Sequence, residues 1–132
     1  MEVAVWKKTS KSAIIDAVNV SGGGKNDILL DGATGSNLTK AGMPKGISTE
    51  VWTLEHADIL VGLQKEYLAA GSQIVYAPTF AANRISLSNF GYEDRVEELN
   101  TRLVALSREA VGTGSGLIAG DITTTGKMME PK

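Results

Sequence analysis

Cysteine is absent from the 132 residues. That excludes a disulfide framework, a thiolate zinc site, iron–sulfur ligation and a cysteine nucleophile supplied by this chain. The single histidine, His56, excludes a histidine-rich metal site as well. Neither charge sign dominates: thirteen Lys and Arg face fifteen Asp and Glu, for a net charge of −2. Such a balance gives no basic surface for a nucleic-acid partner. Long hydrophobic runs are missing too. The longest fall far short of the ~20 residues that span a bilayer, so no membrane partner is expected. Lys7, Lys8 and Lys11 before Ala13-Ile14-Ile15 have the outline of a secretion signal, but Asp16 interrupts the apolar stretch. A soluble, cytoplasmic protein is the expectation. What is present is 42% apolar and 21% charged residues, enough for the buried core of one domain. The fifteen glycines point to tight turns or close backbone approach.

Two regions differ in texture. Residues 1–26 read as an N-terminal extension, partly flexible. The polar stretch around Lys7 to Lys11 and the connector Ser21-Gly22-Gly23-Gly24-Lys25-Asn26-Asp27 flank a short helical or extended piece at 12–20. From residue 27 to 132 the pattern is that of a folded α/β unit. Ile28-Leu29-Leu30, Gln73-Ile74-Val75-Tyr76-Ala77 and Leu117-Ile118-Ala119-Gly120-Asp121-Ile122 are near-continuously apolar. Continuous rather than alternating runs predict parallel strands covered on both faces.

Helical periodicity lies between these runs. Apolar residues recur through 54–70, with Thr53 as a candidate N-cap, Glu55 and Asp58 near the positive end, and Gly71 in the C′ position. A short helix is expected near 82–89. Val96, Leu99, Leu103, Leu106 and Ala110 form one stripe, behind Glu93, Asp94, Glu97 and Glu98, and Gly112-Thr113-Gly114-Ser115-Gly116 ends it. The strand–helix–strand–helix–strand order implies right-handed crossovers and a parallel sheet. Three strands are too few to close such a sheet, so the chain reads as the opening of a larger α/β fold.

In parallel α/β folds the chemistry gathers at the C-terminal ends of strands. Three segments lie there: Asp31-Gly32-Ala33-Thr34-Gly35-Ser36, Pro78-Thr79-Phe80-Ala81-Ala82-Asn83 and Asp121-Ile122-Thr123-Thr124-Thr125-Gly126. Asp31 beside Gly32 can grip a zwitterion, carboxylate to the amine and backbone amides to the acid; capping of the next turn is the competing role. Phe80 is a core residue or a pocket wall. Arg84 can pair with a substrate carboxylate, although a surface role suits it better. His56 reads as a solvated residue in a first helical turn. The glycine clusters lack the spacing of a phosphate cradle.

These segments resemble the homocysteine S-methyltransferase family. The first strand with Asp31-Gly32-Ala33-Thr34-Gly35-Ser36 is similar to its opening signature. The likeness runs through Glu66-Tyr67-Leu68-Ala69-Ala70-Gly71-Ser72-Gln73-Ile74-Val75, Thr79-Phe80, Ala82-Asn83-Arg84, Glu98-Leu99-Asn100 and Ser107-Arg108-Glu109-Ala110 to Ala119-Gly120-Asp121-Ile122, Gly126 and Glu130-Pro131. The resemblance implies about three β/α units from the N-terminal portion of a (β/α)8 TIM barrel. It implies methyl transfer to the homocysteine thiol, giving methionine, with zinc holding the thiolate. The donor is a methyl-corrinoid charged from methyltetrahydrofolate, S-methylmethionine or betaine. Carried over, the family's contacts place Asp31 and Gly32 at the amino-acid head, Thr79 and Phe80 along the pocket wall, and Asp121 at its mouth. No catalytic or metal-ligating residue is assigned, because the family's zinc thiolates are cysteines. Thr123-Thr124 replace the usual Gly-Pro after the third strand. The isolated chain is thus expected to be an inactive fragment of a methyltransferase. Two rivals are a non-enzymatic half-barrel module, associating with itself or a complementary chain through open sheet edges, and a small nucleotide-binding domain.

Overall fold

The computed structural model describes Ala4–Val5 and residues 28–127. The piece at 12–20, expected to be helical or extended, the glycine connector and Glu130-Pro131 lie outside the described residues. The described chain runs through β1 (Ala4–Val5), α1 (Gly35–Lys40), α2 (Thr49–Glu55), α3 (Ala57–Ala69), β2 (Ile74–Tyr76), α4 (Arg84–Ser88), a 3₁₀ turn at Glu93–Arg95, α5 (Val96–Val111) and β3 (Leu117–Gly120).

Strands β2 and β3 pair in parallel, with Ile74 opposite Leu117 and Tyr76 opposite Ala119. The parallel α/β reading of the second and third apolar runs therefore holds, over shorter strands. The first run does not form a full strand. Leu30 makes an isolated parallel bridge to Ile74, while the Leu29 carbonyl accepts from the Gln73 amide at 2.7 Å. Leu29 and Leu30 are 54% and 42% exposed, which corrects the expectation of a buried strand. Among the described residues they lie at a sheet edge, and apolar runs are buried only where elements cover both faces. On the opposite edge, β1 pairs antiparallel with β3, Ala4 opposite Gly120. The extension thus supplies a pairing strand that its composition gave no sign of.

The core lies between the parallel pair and its helices. Val75, Ala77 and Ile118 of the sheet region pack with Val104 and Val111 of α5, and Leu68 of α3 closes against them. Leu60, Leu99 and Leu103 are fully buried; each such side chain contributes about 1.5–3 kcal/mol. The buried face of α5 also takes in Val104 and Ser107, so it is rotated slightly from the expected stripe, leaving Val96 and Leu106 only half-buried.

The helix expected at 54–70 is two helices. Ser48, not Thr53, caps the first: its hydroxyl accepts from the Val51 amide at 3.4 Å. Thr53 is buried inside α2. The helix breaks at His56, whose φ of −125° and ψ of 49° leave the helical region. His56 is half-buried rather than solvated. Its ring stacks on Trp52 at 4.0 Å, and Nδ1 lies 3.0 Å from the Trp52 carbonyl. The far end of α3 follows expectation. Gly71, at φ 111°, donates to Leu68, and Ser72 donates to the Tyr67 carbonyl, completing a glycine-dependent C-cap.

Candidate functional site

Three chain segments leave the sheet region at the same end: residues 31–33 after the Leu30 bridge, 77–82 after β2, and 121–123 after β3. Parallel pairing puts these exits side by side.

The first exit turns at Asp31-Gly32-Ala33. The Asp31 amide donates to the Ile74 carbonyl at 2.9 Å, holding the residue against β2. Its Oδ2 accepts from the Tyr76 amide at 3.0 Å. Half-buried, the Asp31 carboxyl is raised above the ordinary aspartate pKa, chiefly by desolvation. The Tyr76 and Asp31 backbone amides oppose that rise, and the charge of Asp121 adds to it. Close approach favours glycine at position 32: a Cβ would sit 2.8 Å from the Tyr67 hydroxyl oxygen and 3.0 Å from its Cζ, so that ring would have to shift. Tyr67 in turn donates from its hydroxyl to the Ala33 carbonyl at 2.9 Å. Asn37 of α1 donates to that carbonyl and to the Tyr67 oxygen.

The second exit carries Thr79 and Phe80. Thr79 is buried, and its hydroxyl does two things at once. It donates to the Asp121 carbonyl at 2.8 Å and accepts from the Asp121 amide at 3.1 Å. Thr79 therefore ties the second exit to the third. Phe80 is 57% exposed, which removes the core-packing alternative. Below it, the Ala81 amide donates to Glu50 Oε1, the Ala82 carbonyl accepts from Asn100, and Gln64 of α3 donates to the Tyr76 carbonyl.

At the third exit Asp121 is half-buried. Its Oδ1 is shielded from solvent and has no hydrogen-bond partner among the described residues. Desolvation raises its pKa. Asp121, Phe80, Asn100, Val104, Arg108 and Ile122 help line an open cavity of about 700 Å³ between α5 and the strand ends. Asp31 lies outside this cavity.

All five residues singled out from the sequence, Asp31, Gly32, Thr79, Phe80 and Asp121, thus fall on the same three exits. Asp31 and Asp121 feel each other's charge, and Thr79 is bonded to Asp121. Arg84 is on the surface, 3.5 Å from Asp94. Sequence reasoning missed Glu50, Tyr67, Asn37, Gln64 and Asn100 as supports of these loops. Only Tyr67 and Asn100 lay in quoted motifs, and nothing in their spacing shows which loop they reach.

A zinc ion does not fit the residues present. The chain has no cysteine and one histidine, and His56 stacks on Trp52. Among the described residues no three His, Asp or Glu side chains cluster as metal ligands. No helix among them is long and apolar enough to cross a membrane.

Comparison with known proteins finds relatives for most of the chain. The sequence model described as "Homocysteine S-methyltransferase" matches residues 28–132. S-methylmethionine–homocysteine S-methyltransferase from Pongo abelii is 33% identical over 74% of this chain and 26% of its own length. Betaine–homocysteine S-methyltransferase 1 from Sus scrofa is 29% identical over 92% of this chain and 44% of its own. The chain spans a quarter to under half of the curated relatives it matches. The crystal structure of the homocysteine methyltransferase MmuM from Escherichia coli, in a metallated form, superposes with a TM-score of 0.64 at 24% identity, covering 83% of this chain and 40% of that one. The likeness shows a shared fold over that part. By the match over most of its length, this chain belongs to the homocysteine S-methyltransferase family.

Proposed function

We propose that this chain carries the amino-acid-binding corner of a homocysteine S-methyltransferase. Residues 27–132 would be the first three β/α units of a (β/α)8 barrel, preceded by an extension. The observation carrying this reading is the pair of carboxyls on the two exits that flank β2. Asp31 is fixed by the Tyr76 amide, and Asp121 has a buried, unpartnered Oδ1. An ammonium group reaching Asp121 would supply the missing partner, and one beside Asp31 would offset the desolvation that chiefly raises it. Gly32 lets Tyr67 close on the first exit, whose backbone would meet the substrate carboxylate. Phe80 is free to lie along the aliphatic part of homocysteine. Thr79 serves this wall through its hold on Asp121.

In the reaction, the thiol proton is lost, the sulfur lone pair forms the new S–CH₃ bond, and the methyl group's bond to its donor breaks. The products are methionine and demethylated donor. S-methylmethionine and betaine are the donors in the relatives' names; methyl-corrinoid chemistry is the further candidate. No residue of this chain is assigned to that step. Zinc, the thiolate-holding ion of this reading, finds no cysteine in this chain and no cluster of ligands among the described residues, so these residues would bind and orient without activating the sulfur.

The test is binding. Calorimetry with L-homocysteine should show that Asp31→Asn weakens affinity by about 1.5–3 kcal/mol, the loss of a charge-assisted hydrogen bond. An unchanged affinity would return Asp31 to capping the turn.

A further inference from the structure

We propose that Glu50 is a positioning residue for the substrate wall: a buried strut setting the loop that carries Phe80 and, through Thr79, the placement of Asp121. The inference rests on the functional reading above. Glu50 occupies the second position of α2, where a glutamate ordinarily faces water and the helix dipole. Here it is only 4% exposed. A buried carboxyl costs free energy unless its oxygens are bonded, and both are. Oε2 accepts from the Ser48 hydroxyl at 3.0 Å and Oε1 from the Ala81 amide at 3.1 Å, across 31 residues of sequence. Ala81 follows Phe80 directly. Thr79, on the other side of Phe80, holds both the amide and the carbonyl of Asp121. One side chain of α2 thus anchors the second exit, and the second exit anchors the third.

Reach and charge can be separated. Glu50→Gln keeps an acceptor oxygen at the same distance and loses the charge. Glu50→Asp keeps the charge at the helix start and falls one methylene short of Ala81. In the full chain without ligand, amide hydrogen exchange at Ala81 should speed up about tenfold in Glu50→Asp, the loss of one hydrogen bond, and stay within about threefold of the parent in Glu50→Gln. Asp121 should follow in the same direction, more weakly. L-homocysteine affinity should fall about tenfold in Glu50→Asp and be rescued in Glu50→Gln. The reverse order, Asp rescuing and Gln failing, would mean that Glu50 serves the helix dipole and would overturn the proposal. Equal behaviour of the two variants at Ala81 would overturn it as well. If the parent chain binds no homocysteine, the functional reading fails, and the ligand-free exchange pattern still decides the role of Glu50.

Discussion

The exits after Leu30 and after β2 are built on opposite plans. At the first, the supports are neutral: the Tyr67 hydroxyl and the Asn37 amide hold the Ala33 carbonyl, while the charged group, Asp31, accepts from the Tyr76 amide and is partly desolvated. At the second, the charged group, Glu50, is the support, and the group left facing out is an apolar ring. The difference teaches how adjacent strand exits can present a carboxylate and an apolar ring. A buried charge is tolerated where it is fully hydrogen-bonded, and a half-desolvated charge is kept where a ligand can neutralise it.

The largest blow to both exits alike is to the packing beneath them. Leu103→Ala, at a fully buried position on α5, should cost about 2–5 kcal/mol in a urea melt. A smaller loss would mean that α5 does not bear the shared load. Next, Gly32→Ala attacks the first exit alone, driving a methyl into the Tyr67 ring. It should destabilise by about 1–3 kcal/mol, with chemical shifts changing at Ala33 and Tyr67 and not at Ala81. A neutral result would show that the ring swings away freely.

Asp31→Asn sharpens the comparison through pH. A carboxyl whose folded pKa is raised binds protons more tightly in the folded than in the unfolded state. Its contribution is therefore greatest below the unfolded pKa and is lost as pH rises through the folded one. Asn escapes that loss and still offers an oxygen to the Tyr76 amide. At pH 7 the variant should melt no lower than the parent while binding more weakly. Melting well below the parent would mean that the charge stabilises the turn. In the parent, affinity for an ammonium ligand should fall on acidification at a higher pH than an exposed aspartate would give. The smallest effect belongs to Phe80→Ala. It should shift stability by no more than about 0.5 kcal/mol, since the ring is mostly in water. A large loss would place Phe80 in the core after all.

The parallel strands, the long α5 and the Gly71 cap were legible in the sequence because local periodicity and a single positive φ encode them. The break at His56 was not. Trp52 stacking and a side-chain bond to its carbonyl favour the break, and neither leaves a periodic trace. The exposure of Leu29 and Leu30 was misread for a related reason: an apolar run reports the cover a segment is suited to, whereas its exposure depends on what packs against it. At the site, the residues facing out were legible as motifs at strand ends. Glu50 was not, because Ser48 and Glu50 look like an ordinary helix start, and only the fold brings Ala81 to that carboxyl.

Titration of the 132-residue chain with L-homocysteine, followed by backbone amide resonances, tests the central claim most directly. The account predicts saturable shifts at Asp31, Gly32, Tyr76, Phe80 and Asp121, matched by methionine within a few-fold, because the head group and not the sulfur is held. Shifts absent at millimolar ligand, or confined to residues away from these three exits, would contradict it.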